Sequence, residues 1–445
     1  MEIRNKATRI DLFTFSTPQM RAFHMTWLAF FFCFFGWFGI APLMAIVREE
    51  LMLSKTQIGN TIIASVAITV LIRLLIGPLC DRFGARLTYT WLLILGSLPV
   101  MGIGLAKSYE SFMLFRLAIG AIGASFVITQ YHTSMMFAPN CVGTANATTA
   151  GWGNLGGGLT QMVMPLIFVA WLALGVDTSL SWRLAMVVPG VALLLSGIAY
   201  YVLTQDAPDG NYRELRAAGL IPPVDDKDHG SFWMAAKDYR VWILFVIYGA
   251  CFGIELTINN VAALYFHDRF ALDVKTAGLI AGLFGLMNLF ARTLGGVYSD
   301  RVAGRAGLKG RVWFLGVVLL LEGLGLVAFS RMPMLGAAVV AMMIFSLFVQ
   351  MAEGATYGLV PFINKRAVGP VAGIVGAGGN AGAVAAGFLL RTSLATQDAL
   401  LILGLLVALA SSLAVLVRFS PRVEVVERKA FAQAMAARAA LASGR

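Results

Sequence analysis

Two arginines stand where a cation is least welcome. Arg73 lies in LIRLLIG and Arg292 in NLFARTLGG, each well inside a long apolar run. A guanidinium stays charged at any physiological pH. At such depth it must find an anion, a carboxylate or a set of carbonyls. Its planar fork of N–H donors can meet two oxygens of an anion side by side. The buried carboxylates Glu255, Glu322 and Glu353 are the alternative partners. With His132 they are also the titratable groups placed to carry protons at membrane depth. No other arrangement has the form of an active centre. Cys33, Cys80, Cys141 and Cys251 are scattered without CxxC spacing, and the four histidines, at 24, 132, 229 and 267, are equally dispersed. The sequence therefore predicts no metal site, no cofactor and no enzyme.

The elements that must position these residues follow from composition. Of 445 residues, 59% are hydrophobic and only 13% charged, whereas a soluble domain carries about 25% charged residues. That balance excludes a soluble enzyme, a disordered chain and a disulfide-stapled secreted domain. Twelve runs reach the roughly 20 apolar residues that cross a bilayer, from 24–46 to 397–417. The expected fold class is an all-α membrane protein with twelve transmembrane helices. The predicted domains are an N-terminal segment 1–23, a six-helix bundle 24–204, a linker 205–240, a second six-helix bundle 241–417 and a tail 418–445. The tail reads as a short amphipathic or surface helix.

Lys and Arg set the orientation. With both termini cytoplasmic, 23 of the 34 Lys and Arg fall on the cytoplasmic side, 8 on the other and 3 inside spans. The net charge of +11 thus describes a membrane topology and calls for no nucleic acid. The expected location is the plasma (inner) membrane. Arg116, near the outer start of the fourth span, can snorkel toward water there; its expected role is in packing or at an interface.

The halves also repeat. With Arg73 set on Arg292, an offset of 219, Gly77 meets Gly296, Asp81 meets Asp300 and Arg82 meets Arg301. GNLG at 153–156 meets GNAG at 379–382 at offset 226. Both matches lie six spans apart. Parallel repeats of this kind place a substrate site near the midplane, at the interface of the halves.

GPLCDRFGARL at 77–87 resembles the loop signature of the major facilitator superfamily, and Arg116 with Gly120 resembles its fourth-span motif. AGWGNLGGGLTQ at 150–161 and GAGGNAGAVAAG at 376–387 are similar to the paired signature segments of the nitrate/nitrite porter family. GIELTINNVAALYFHDRF at 253–270 and EGATYGLVPF at 353–362 look most like its eukaryotic-type high-affinity branch. The resemblance implies the major facilitator fold, two pseudo-symmetric six-helix bundles and secondary transport of nitrate, with nitrite a second candidate.

It also implies roles. Nitrate, a flat anion with acceptor oxygens only, would be clamped by Arg73 and Arg292. Asn154 and Tyr248 would contact it, and Phe38, Phe126 and Tyr357 would wall the site. Gly153, Gly156, Gly157, Gly379, Asn380 and Gly382 would let helices approach and rock. Asp81, Arg82 and Arg86, with Asp300 and Arg301, would latch the cytoplasmic ends. Glu255, Glu353 and His132 are the proton-coupling candidates for symport. Nitrate/nitrite exchange, and a membrane sensor that binds the anion without moving it, remain the alternatives. Some relatives in this branch need an accessory protein, which is a candidate partner here.

Overall fold

The computed structural model describes residues 5–137, 142–220, 229–364, 368–426 and 428–429. Among them the regular structure is helical, with two isolated bridges and no strand. Twelve helices are long and apolar enough to cross a bilayer: α1 (Pro18–Glu50), α2 (Lys55–Arg73), α3 (Ala85–Leu105), α4 (Tyr109–Met136), α5 (Thr148–Ala173), α6 (Thr178–Leu203), α7 (Tyr239–Phe270), α8 (Val274–Ser299), α9 (Arg301–Arg331), α10 (Leu335–Val360), α11 (Pro370–Leu390) and α12 (Thr396–Leu416). Helices satisfy their own backbone, which lipid cannot do for them. The linker adds two short helices, Tyr212–Ala217 and His229–Ala236. In the tail, residues 421–426 are helical, and 430–445 lie outside the described residues.

Local chemistry fixes the helix starts. α1 begins at Pro18 rather than at 24 because Thr17 caps the Met20 N–H at 3.3 Å and Pro18 occupies the first turn. Ser54 and Gln57 form a reciprocal capping box before α2, and Asp273 caps α8 through the Thr276 N–H at 3.0 Å. α4 tightens into a 3₁₀ turn at Ala121–Ala124, and α8 does so at Met287–Leu289. Carbonyls beside the α4 break turn to α2. Gly120 O accepts from Thr69 Oγ1 at 2.8 Å and Gly123 O from Arg73 Nη2 at 3.3 Å.

The chain forms two compact units. The first contains Met1–Lys227, Glu255–Leu289 and Ala383–Thr396; the second contains Asp228–Ile254, Phe290–Gly382 and Gln397–Arg445. The first unit thus holds α1 to α6 together with stretches of α7, α8 and α11. Those stretches are held by glycine contacts and polar ties. A Cβ on Gly158 would sit 2.5 Å from Gly285 backbone atoms, so α5 and α8 touch backbone to backbone. Arg48 forms a bidentate pair with Asp268 at 2.6 and 2.9 Å. Arg391 donates to Asn60 Oδ1 at 3.3 Å and its carbonyl accepts from Thr56 at 3.1 Å.

The signature glycines make matching contacts within each unit. In the first, a Cβ on Gly153 would strike the Phe30 ring, and one on Gly156 the Phe31 carbonyl. In the second, at offset 226, Gly379 lies on the Phe252 ring and Gly382 on the Gly249 carbonyl. Gly157 faces Asn259, Phe34 and Phe38 instead. One GN-x-G segment therefore seats α5 on α1, and its repeat seats α11 on α7.

Candidate functional site

In the second unit Arg292 is 9% exposed. It lies three residues past the 3₁₀ turn of α8. Its Nη2 donates to the Tyr248 hydroxyl at 2.9 Å and lies 3.0 Å from Glu353 Oε2. Three spans, α7, α8 and α10, thereby meet at one guanidinium. Tyr248 stacks on Phe252 with centroids 5.2 Å apart and meets Tyr357 edge-on at 5.1 Å. Tyr357 donates to the Ala372 carbonyl at 3.3 Å, which brings α11 to the same wall. Glu353, expected as a proton carrier or a partner of either arginine, is the partner of Arg292.

In the first unit Arg73 is half-buried and reaches the Gly123 carbonyl, and its guanidinium carbon lies 5.6 Å from the Phe126 ring centroid. Phe126 continues into Phe30, Phe34 and Phe38 at centroid spacings of 5.9, 4.8 and 5.6 Å. Phe38 is fully buried at the far end of that row, against Trp37 and Gly157. Of the two aromatic residues predicted to wall this side, Phe126 is the one brought to the arginine.

Asn154 and Glu255 meet each other. Asn154 Nδ2 lies 3.5 Å from Glu255 Oε2, and Asn288 Nδ2 donates to Glu255 Oε1 at 2.7 Å. Glu255 is fully buried between two amides, so its described contacts are with asparagines rather than with an arginine. Asn380, the repeat mate of Asn154, is fully buried, and among the described residues neither its amide nitrogen nor its oxygen has a hydrogen-bond partner. The same holds for both carboxylate oxygens of Glu322 on α9. Buried polar groups ordinarily find partners, so these two stand out.

Arg116 does not snorkel; it is 1% exposed. Its Nη2 donates to Asn260 Oδ1 at 2.9 Å and Ser65 Oγ at 3.1 Å, and its Nη1 to the Trp37 carbonyl at 3.3 Å. Neutral acceptors from α1, α2 and α7 hold the cation inside. Asn260 was visible in the sequence as the second asparagine of the INN triplet at 258–260, two asparagines in an apolar run.

His132 has both ring nitrogens engaged. Nε2 lies 2.8 Å from the Gln205 carbonyl, and Nδ1 is in close contact with the Tyr200 hydroxyl. A carbonyl can only accept, so Nε2 carries a hydrogen, and in the neutral ring Nδ1 then accepts from Tyr200. The imidazole staples the end of α6 to α4.

At the helix ends, the Arg86 amide donates to Asp206 Oδ1 at 2.8 Å, and its side chain donates to the Tyr201 carbonyl at 2.8 Å and covers that ring at 4.1 Å. Gly84, with φ +86°, faces the Asp206 carboxylate with no room for a Cβ. Asp206 also accepts from the Tyr212 amide at 3.0 Å. Burial pushes its carboxyl up, against those hydrogen bonds and the nearby Arg86 and Arg216 charges. Asp206 was not among the predicted latch residues. Arg82 and Arg301 lie on the surface against Phe83 and Tyr298. The side chains of Asp81 and Asp300 lie outside the described residues. Among the described residues no three His, Cys, Asp or Glu side chains converge on a metal site.

Residues 26–360 match the family model of the Major Facilitator Superfamily. The chain is 43% identical to the high affinity nitrate transporter 2.5 of Arabidopsis thaliana, over 86% of this chain and 76% of that one. It is 38% identical to nitrate transporter 2.1 of Chlamydomonas reinhardtii, over 86% and 70%. It is 31% identical to a Picosynechococcus nitrate/nitrite transporter, NrtP, over 82% and 84%. Among solved structures, a bacterial homologue of the human lysosomal transporter Spinster superposes with a TM-score of 0.69 at 18% identity, covering 91% of this chain and 99% of that one; at that identity the likeness concerns the fold. With its twelve apolar helices and paired signature segments, the chain belongs to the major facilitator superfamily and, within it, to the nitrate/nitrite porter family.

Proposed function

We propose that this protein imports nitrate, with nitrite a second substrate, by alternating access coupled to protons. The observation that carries the proposal is the buried meeting of Arg292 with Tyr248 and Glu353, at the repeat position of Arg73. Relatives named as nitrate transporters support the choice of anion. The two six-span halves, 24–204 and 241–417, move about the 205–240 linker, with both termini cytoplasmic. Arg73 and Arg292 each present a planar fork to the anion, and Tyr248 adds a hydroxyl. Asn380, whose amide hydrogens have no partner among the described residues, supplies a further donor. Asn154 acts on Glu255 and so positions rather than binds. His132 is likewise a positioning residue, since both its nitrogens are engaged.

Coupling follows from charge. An inside-negative potential of 100 mV opposes entry of a monovalent anion by about 2.3 kcal/mol. At least two protons per nitrate make entry electrically favourable. Ionised Glu353 cancels the charge of Arg292, and a proton on Glu353 restores a positive site for the anion. Proton binding and nitrate binding then favour each other, as linkage requires. Glu322, buried in the same unit, is a second carboxyl able to hold a proton.

The test is nitrate uptake into proteoliposomes that contain no anion substrate, with and without an inward proton gradient. Gradient-dependent uptake accompanied by proton entry is the expected result. Uptake that requires nitrite inside and ignores the gradient makes the protein an exchanger. Nitrate binding with no uptake under either condition makes it a sensor.

A further inference from the structure

A second site lies away from the arginines. In the second unit, α9 and α12 part to leave a cavity of about 610 Å³, within the roughly 300–1,000 Å³ of small-molecule sites. Its floor is small because Gly316 packs on Ala414: a Cβ at Gly316 would lie 3.3 Å from the Ala414 Cβ. Its walls are apolar and turned outward, with Trp313 65%, Val415 55% and Val317 49% exposed. One end carries Lys309, Arg418 and Glu424. That end lies in the first third of α9, two residues past the Gly307 kink, on the side expected to hold most of the chain's Lys and Arg.

We propose that this groove binds a glycerophospholipid with a net anionic, hydroxyl-bearing headgroup. An acyl chain lies along Trp313, Val317 and Val415, and the phosphate sits between Lys309 and Arg418. Two cations against one carboxylate leave a rim of net charge +1, matched by a lipid of charge −1. Glu424 accepts from a headgroup hydroxyl. Trp313 stands at the water–lipid boundary, where amphipathic rings collect. The opposite end of the same helix pair is built differently. There Arg331 and Asp398 pair at 3.1 Å and neutralise each other. Lys309 and Arg418 have no carboxylate pair among the described residues. The Arg418 backbone is fixed all the same: its carbonyl accepts from Arg240 at 3.4 Å, and Arg240 lies over the Phe419 ring at 5.3 Å. The rim is therefore held in place without its charge being consumed.

The experiment reconstitutes the full-length protein in nanodiscs holding equal amounts of phosphatidylglycerol, phosphatidylcholine and phosphatidylethanolamine with matched chains. The protein is then re-extracted, and the lipids that stay with it are quantified. Phosphatidylglycerol is expected to be enriched at least fivefold, since each basic residue near an anionic lipid contributes roughly fivefold. Lys309→Gln/Arg418→Gln abolishes the enrichment, while Glu424→Gln preserves it. Both variants lie at the protein surface, and unchanged melting in phosphatidylcholine alone checks that they fold. Equal retention of the three lipids overturns the proposal. So does a preference for phosphatidylethanolamine, or an enrichment that survives the double variant. Nitrate uptake is not the readout, so this test stands apart from that of the transport proposal.

Discussion

Arg73 and Arg292 occupy the same place in the sequence repeat but live in different surroundings. Arg292 is 9% exposed and shares one nitrogen between a tyrosine hydroxyl and a buried carboxylate. Arg73 is half-buried, against a backbone carbonyl freed by the α4 turn and the face of Phe126. The repeat keeps the cation and changes its surroundings. The field around Arg292 depends on whether Glu353 holds a proton, whereas the described contacts of Arg73 are with groups that do not titrate. Under the proposed coupling, the proton acts on Arg292 through its partner.

The sharpest way to break this comparison is to remove each cation. Arg292→Ala leaves Glu353 buried without its counterion, an error that costs about 3–5 kcal/mol. The protein is expected to melt markedly earlier in detergent and to lose uptake. Adding Glu353→Gln removes the stranded charge. The double variant therefore regains most of the thermal stability while uptake stays absent. If Arg292→Ala alone melts like the parent, the ion pair does not hold the second unit, and the asymmetry between the two sites fails.

Arg73→Lys probes the other side. Lysine keeps the charge and loses the planar fork. Hydrogen bonds to charged groups contribute about 1.5–3 kcal/mol, so uptake should fall roughly ten- to hundredfold with the melting temperature unchanged. The same exchange at Arg292 should lower both quantities, because its geometry also serves Tyr248 and Glu353. Equal stability loss at both positions would erase the distinction.

Much of this was legible before any coordinates. Twenty-residue apolar runs announce spans, and a guanidinium inside one announces a site, because both are rules of the lipid solvent. The GN-x-G pairs announced close helix contact for the same reason. What stayed illegible were the partners. Arg116 reads as a packing residue near a span end, able to snorkel, and the partners that keep it inside, Trp37, Ser65 and Asn260 from three other helices, could not be named. Glu255 offered no hint that it would be met by Asn154 and Asn288 instead of an arginine. Asp206 looked like one more linker acid. Its role depends on Gly84 leaving room for its carboxylate, a contact between residues 122 positions apart in sequence. Chemistry within one helix is readable from spacing; which neighbour supplies the counter-group is a property of packing.

A milder test sharpens the role of Tyr248. Tyr248→Phe deletes the hydroxyl that accepts from Arg292 at 2.9 Å and keeps the ring that stacks on Phe252. Losing one hydrogen bond to a charged group should raise the nitrate KM roughly tenfold, with little change in melting. Because Glu353 remains to hold Arg292, the gradient dependence of uptake should persist. A Tyr248→Phe protein with normal KM but no response to the proton gradient would move the sensing role from Glu353 to the tyrosine.

The smallest expected effect lies outside the membrane, at Asp206. Burial raises its carboxyl above the ordinary value of 3.8, so the folded state holds the proton more tightly than the unfolded chain does. The stability this contributes is fully present below that ordinary value and is lost as pH rises through the folded one. Asp206→Asn removes that slope. It also turns an amide nitrogen toward either the Arg86 or the Tyr212 N–H, forfeiting one acceptor at about 1 kcal/mol. The level of stability is therefore a poor readout and the pH slope a good one. Melting measured from just below to well above the usual carboxylate range should decline with pH in the parent and flatten in Asp206→Asn. Identical slopes would mean that Asp206 is ionised as readily in the folded protein as in the unfolded chain. The hydrogen bonds from Arg86 and Tyr212 would then outweigh its burial, and the contact behind Gly84 would be held by a full carboxylate charge.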